Sequence, residues 1–178
     1  MKNFYPEKPM VGYLNTQVPM TEVISQLQAL DALFEVKRAS YIMFRIESAN
    51  GTRGINNNFV GAQADGARWP QKYDDNITGI VLRNENTTNK PRLFVAFDRW
   101  QTSIDFLLER VFNRGLYVGG YAHKIAKMPV RSAHDFAVAY KRDWVTGKST
   151  ANPTSTELNG ILSMYKQASK FFQAPNIS

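Results

Sequence analysis

Residues 39–61 read ASYIMFRIESANGTRGINNNFVG, and the change of character inside this stretch decides the architecture. The first half is apolar, with Ile42 and Ile46 one helical turn apart, which predicts a helix over about 39–46. Asn50-Gly51 is a helix stop, so the helix ends at Glu47-Ser48. Beyond it, as far as Lys90, the chain is rich in Gly, Asn and Asp, the composition of turns and short strands. One carboxylate, Glu47, therefore stands where an apolar helix gives way to another kind of structure.

Toward the N-terminus, Val23, Leu27, Leu30 and Phe34 recur at helical spacing. They predict a helix over 21–36, with Thr21 as its cap. Residues 1–18 are Pro-rich and aperiodic, and read as an arm lying on the domain. Toward the C-terminus, residues 59–64, 77–83 and 92–97 read as short strands, with NENTTNK at 84–90 as a polar turn. They predict a small antiparallel β-lobe over about 52–98. Helices then return. Thr102-Ser103-Ile104-Asp105 resembles a capping box, opening a helix that buries Ile104, Leu107, Leu108 and Val111 and stops at Gly115. Ser132-Ala133-His134-Asp135 opens another helix, with Phe136, Tyr140 and Trp144 on one side. Thr154-Ser155-Thr156-Glu157 caps a last helix carrying Leu158, Ile161, Leu162, Tyr165 and Phe172. The expectation is α+β, mainly α: a helical body over 19–146 that includes the β-lobe, a cleft between body and lobe, and residues 147–178 as a loop and helix packed on the same domain.

With 178 residues, 43% of them hydrophobic, the chain can bury a core of one-domain size. There is no apolar run of about 18 residues and no secretory signal at MKNFYPEKPM, so export would follow another route: release by lysis, or carriage on a virion or secretion machine. The absence of cysteine excludes disulfides and thiolate chemistry, and neither His123 nor His134 lies in an HExxH pattern. No metal and no cofactor are expected. The net charge of +7 favours polyanionic surroundings such as wall polymers. The 22 Lys and Arg are scattered, with no run of five or six, which argues against a specific nucleic-acid face. A monomer is the simplest state.

Glu47 follows Tyr41, Ile42, Met43, Phe44 and Ile46, so its carboxyl is expected to be partly desolvated, and it lies at the negative end of the helix dipole. Both effects favour the neutral carboxyl. A glycosidase general acid needs this, because it must hold a proton near neutral pH. The plain alternative is a surface ion pair with Arg45 or Arg53.

Glu47-Ser48, two residues, Gly51, and then Asn57-Asn58-Phe59-Val60-Gly61 resemble the glucosaminidase family of peptidoglycan hydrolases, within the lysozyme-like superfamily. Its members carry Glu-Ser-x-x-Gly at a helix end and Asn-Asn-x-x-Gly leading into the β-lobe. Further pieces follow in order. Val81-Leu82-Arg83-Asn84-Glu85 is similar to a hairpin strand that ends in a second glutamate. The stretch from Phe97 through Asp98-Arg99-Trp100-Gln101-Thr102-Ser103 to Ile104 is similar to the one that introduces the next helix. Gly120-Tyr121-Ala122 is similar to a Gly-Tyr-Ala that carries a functional tyrosine. The resemblance covers about residues 21–145. Trp100 stands where the family has Tyr, His123-Lys124 replace Thr-Asp, and the lobe has extra residues around 64–75.

The resemblance implies a lysozyme-like fold and cleavage of the β-1,4 bond between N-acetylglucosamine and N-acetylmuramic acid in peptidoglycan glycan strands. Glu47 would protonate the glycosidic oxygen, Glu85 would activate water as general base, and Tyr121 would contact the substrate near the reacting carbon. A base on a separate lobe suggests inversion, with carboxyls roughly 6.5–9.5 Å apart or more before closure. Asp65, Asp74, Asp75 and Asp98 compete with Glu85 for the second role, and Asp65 is the best placed because it follows the Asn-Asn element. Asn58 either fixes its loop or binds acetamido groups. Gln63 and Trp69 could line sugar subsites, and with Asp65 and Trp100 they complete the substrate-binding set. A lytic transglycosylase, which uses one glutamate as acid and then base, and a non-catalytic wall- or virion-associated protein are the alternatives.

Overall fold

The computed structural model describes residues 1–86 and 88–174, so Thr87 of the expected turn and residues 175–178 of the expected C-terminal segment lie outside the described residues. Strand β1 (Asn15–Thr16) and helices α1 (Met20–Ala29) and α2 (Phe34–Glu47) come first. The end of α2 is built by the residues behind it. Ala49, Asn50 and Gly51 take φ of 49°, 58° and 79°, which no right-handed helix can propagate. The Asn50 N–H donates to the Arg45 carbonyl at 2.8 Å. The Ser48 hydroxyl donates to the Phe44 carbonyl at 2.5 Å and accepts from the Gly51 N–H at 2.8 Å. A side chain at Gly51 would run into the Val18 carbonyl, so glycine is required there.

The single helix expected over 21–36 is instead two. Helix α1 ends at Ala29, α2 begins at Phe34, and Lys37 Nζ reaches back to the Gln28 carbonyl at 3.1 Å. That ammonium satisfies a carbonyl the helix end leaves open. Thr21 lies inside the first turn of α1, not at its cap. Ile42 is buried but Ile46 is 39% exposed, so the apolar face of α2 stops at Phe44.

The chain divides into two compact units, and the architecture is α+β with small antiparallel sheets. Unit 1 comprises Met1–Glu22 and Phe44–Phe106. Its arm is stitched down by backbone: Phe4 N–H to Ala64 O, Val11 N–H to Ile80 O and Ile80 N–H to Pro9 O, at 2.8–2.9 Å. Strand β1 pairs antiparallel with β2 (Gly54–Ile55). A short 3₁₀ turn at Gln71–Asn76 leads into β3 (Ile77–Asn84), which pairs with β4 (Pro91–Phe97) from Ile77 opposite Phe97 to Asn84 opposite Pro91. This is the expected hairpin.

The third strand, expected over 59–64, does not form. Positive φ at Asn56, Asn57 and Gly61 bends the chain away from alternation, and it meets β4 at a single bridge, Gln63 with Phe94. The core of the unit is aromatic. Phe44 stacks on Phe59 at 5.4 Å, and Phe106 takes Trp69 face to face at 4.1 Å and Tyr73 and Phe97 edge-on. Such pairs add about 0.5–1.5 kcal/mol each beyond area burial.

Helix α3 (Gln101–Arg114) starts one residue before the expected capping box. The Thr102 hydroxyl donates to Asp98 Oδ1 at 3.0 Å. The Ser103 hydroxyl donates to the Asn57 carbonyl at 2.6 Å and accepts from the Phe59 N–H at 3.0 Å. The Ser103 hydroxyl thus serves the Asn-Asn segment, and the Thr102 hydroxyl is bonded to Asp98. Ile104, Leu107 and Val111 are buried as expected, and α3 stops at Gly115 with φ 62°, where a side chain would overlap the Tyr121 backbone.

Unit 2 comprises residues 23–43 and 107 onward. A hairpin not anticipated from sequence pairs β5 (Gly120–Tyr121) with β6 (Pro129–Val130). Helix α4 (Ala133–Ala139) begins where Ser132 accepts the Asp135 N–H at 3.1 Å, and the chain runs on in wider helical turns from Tyr140 to Thr146. Helix α5 (Ser155–Phe171) has the full capping box: Glu157 N–H to Thr154 Oγ1 at 3.2 Å and Thr154 N–H to Glu157 Oε2 at 2.8 Å. It is clamped by Tyr165 donating to Glu35 at 2.6 Å and Arg38 Nε donating to the Phe172 carbonyl at 2.8 Å. Among the described residues, no helix is long and apolar enough to cross a membrane.

Candidate active site

Glu47 is the last residue of α2, and the Ser48–Gly51 turn fixes the backbone that carries it. Its side chain is exposed. The desolvation expected from Tyr41–Phe44 is therefore not supplied by that run, because those four residues point into the interior and the chain turns outward at Arg45.

The Asn-Asn element is a scaffold. Asn58 is 1% exposed, and its amide is fully committed. Nδ2 donates to the Ala62 and Val95 carbonyls at 2.9 Å each, and Oδ1 accepts from the Ala62 N–H at 3.0 Å and the Val60 N–H at 3.4 Å. Two donors and two acceptors are all an amide has, so none remains for an acetamido group. Of the two roles expected for Asn58, the loop-fixing one is the one it performs. Asn57 reaches across to the Phe97 carbonyl at 3.2 Å. Trp69 is corrected likewise. It is 6% exposed and stacked on Phe106, a core residue and not a platform for a sugar ring. Its position could not be told from sequence because any tryptophan in a loop offers the same face. Gln63 and Trp100 are half-buried, and Trp100 gives its carbonyl to the Ser103 N–H at 3.0 Å.

Glu85 follows the last residue of β3, at the hairpin turn. Oε2 accepts from the Thr88 hydroxyl at 2.6 Å and Oε1 from Arg92 Nε at 2.8 Å. The Thr88 hydrogen bond above all, with Arg92 and the charge of Lys90, holds this carboxyl below the usual value against the opposing effect of desolvation. It is an ionised carboxylate at neutral pH, as a general base must be. On its other side the Arg92 guanidinium approaches Asp65, with Nη1 3.8 Å from Oδ2. The Asp65 side chain is 6% exposed, and its Oδ1 has no hydrogen-bond partner among the described residues. Three residues expected separately, or not at all, thus form one group: Glu85, Arg92 and Asp65. Arg92 was missed because a lone arginine opening a strand carries no signal by itself.

Asp105 was also missed. Burial pushes its carboxyl up, against the pull of Arg99 and Lys72. In sequence it looked like the end of a capping box. In unit 2, Tyr121 is 44% exposed on β5, its ring 5.6 Å from that of His123. Nearby, Arg114 pairs with the buried Asp143 at 3.0 Å and lies over the Trp144 ring. Burial, with Arg114 and Arg110 close by, holds Lys124 below its ordinary value. Among the described residues, no group of three or more His, Cys, Asp or Glu side chains is arranged to hold a metal ion. Comparison of the chain with family models, with curated proteins and with solved structures finds no match in any of the three.

Proposed function

We propose that the chain is a lysozyme-like peptidoglycan glycosidase that cleaves the β-1,4 bond between N-acetylglucosamine and N-acetylmuramic acid, with Glu47 as general acid. The observation that supports the reading is that unit 1 carries two differently held carboxylates. Glu47 is exposed on a backbone fixed by the Ser48–Gly51 turn, and Glu85 is an ion-paired carboxylate at the hairpin turn. Glycoside cleavage needs a proton donor for the leaving oxygen and a negative partner for the oxocarbenium-like state. A bound saccharide would supply the desolvation that Glu47 lacks when exposed, favouring its protonated form. In the forward step Glu47 gives its proton to the glycosidic oxygen as the bond to the anomeric carbon breaks. Glu85 takes a proton from the attacking water. Tyr121, exposed and aromatic, is the substrate contact that the sequence resemblance suggests. The net charge of +7 concentrates such a protein on anionic walls after lysis or from a carrier particle.

One observation favours a second reading. Both Glu85 oxygens are already hydrogen-bonded, to Thr88 and to Arg92. A lytic transglycosylase dispenses with a separate base, since Glu47 would act as acid and then as base while the substrate's own hydroxyl attacks.

The test is clearing of purified bacterial cell walls by wild type and by Glu47→Gln, which keeps the size but cannot donate the proton. Glu47→Gln is expected to be slower by about 10²-fold or more. Equal clearing by the two proteins defeats the proposal. Mass spectrometry of the products separates the readings: reducing ends mean hydrolysis, anhydro ends mean transglycosylation.

A further inference from the structure

We propose that Arg92 is a positioning residue: one guanidinium ties the hairpin carboxylate Glu85 to the loop carboxylate Asp65, and so sets the orientation and charge of the base in the reaction proposed above. Only the catalytic half of this inference rests on that reading. The tie itself stands on geometry within unit 1.

Arg92 lies opposite Arg83 in the β3–β4 register. The two arginines part company. Arg83 lies over the Tyr13 ring at 4.3 Å, while Arg92 turns to the carboxylates. Its Nε holds Glu85 Oε1 at 2.8 Å, and its Nη1 faces Asp65 Oδ2 at 3.8 Å. A guanidinium can serve two acceptors from different nitrogens of one rigid plane; an ammonium has a single charged centre and cannot reproduce that fork. The charged groups facing Glu85 are therefore Arg92 and Lys90, with Asp65 behind Arg92. Asp65 strengthens the case because it is more than nine-tenths buried and Arg92 is its ion-pair partner. A buried carboxylate without a cation is strongly disfavoured, so Asp65 also draws the guanidinium, through a longer contact than the one to Glu85. The loop after the Asn-Asn element and the hairpin turn are thereby coupled through a single side chain.

The experiment uses the full chain with Arg92→Gln, Arg92→Lys and Asp65→Asn, each checked for folding by thermal melting. Carbon-13 NMR follows the Glu85 carboxyl against pH. Rates on soluble, uncrosslinked peptidoglycan strands are measured over the same range. In Arg92→Gln the Glu85 midpoint is expected to rise by about 0.5–1 pH unit, and the acid limb of the rate profile to rise with it. The kcat on the plateau is expected to fall about tenfold with KM within about twofold, because orientation is lost and binding is not. Arg92→Lys keeps the midpoint near wild type but not the rate. In Asp65→Asn, loss of the neighbouring negative charge moves the midpoint the other way, by a few tenths of a unit.

A wild-type midpoint in Arg92→Gln overturns the tie, and so does an unmoved acid limb with full kcat. If the wild type does not cleave glycan at all, the glycosidase reading falls, and the Glu85 titration still decides whether Arg92 couples the two carboxylates. Should Arg92→Gln fail to fold, the opposite shift in Asp65→Asn and the rate loss in Arg92→Lys carry the same decision.

Discussion

The end of α2 and the tip of the β3–β4 hairpin each present a glutamate, and they hold it in opposite ways. Glu47 is placed by backbone: three consecutive residues at positive φ, a serine hydroxyl bridging Phe44 and Gly51, and a glycine against the Val18 carbonyl. Glu85 is placed by side chains, Thr88 on one oxygen and Arg92 on the other. A carboxylate carried on a fixed backbone keeps its position when its neighbours change. One fixed by side chains has its charge tuned and can lose that tuning to a single substitution.

The sharpest way to break this contrast is Gly51→Ala. The residue has φ 79° and faces the Val18 carbonyl, so the substitution should destabilise the fold by about 3 kcal/mol or more in urea unfolding. A loss under about 1 kcal/mol would mean the helix stop is soft and Glu47 is not held by backbone. Next is Asn58→Ala, which strips partners from the Ala62 N–H and from the Ala62 and Val95 carbonyls, all of them buried. We expect a loss of about 2–3 kcal/mol by the same measurement.

The smallest effect belongs to the hairpin. Thr88→Val should change stability at neutral pH by no more than about 0.5 kcal/mol, since the site is at the surface. Its signature is in the pH dependence. A depressed carboxyl contributes stability that is present above its unfolded value of 4.5 and is lost as pH falls through the folded value. Thr88 is the largest cause of the depression, so in Thr88→Val the acid-side decline should shrink. Unfolding midpoints at pH 6, 4.5 and 3 show whether it does; an unchanged decline would assign the depression to Arg92 and Lys90 alone.

What could be read from sequence follows from range. The α2 stop and the Ser132 and Thr154 caps depend on residues within four or five positions of one another, and the β3–β4 hairpin on two strands joined by a short polar turn, so a local reading reaches them. The break between α1 and α2 could not be read, because Val23, Leu27, Leu30 and Phe34 keep helical spacing across it, and the Lys37 contact with Gln28 that closes α1 spans the gap. The Thr102 and Ser103 hydroxyls carry a capping pattern yet are used by Asp98 and by Asn57 and Phe59, the latter more than forty positions away. Trp69 faces Phe106 across a similar distance. The candidate site divides in the same way. Glu47 and Glu85 stand out as residues, whereas the Arg92 link between Glu85 and Asp65 exists only once the hairpin and the preceding loop are folded side by side.

The arm of unit 1 has a consequence for how the chain is made. Phe4, Pro9 and Val11 find their hydrogen-bond partners in Ala64 and Ile80, sixty to seventy positions later. On the ribosome these early residues emerge first and then wait, with Tyr5 uncovered, until strand β3 has cleared the exit tunnel. Until then the backbone groups of the arm lack their native partners, and an incomplete chain carries an unpaired edge open to non-native association.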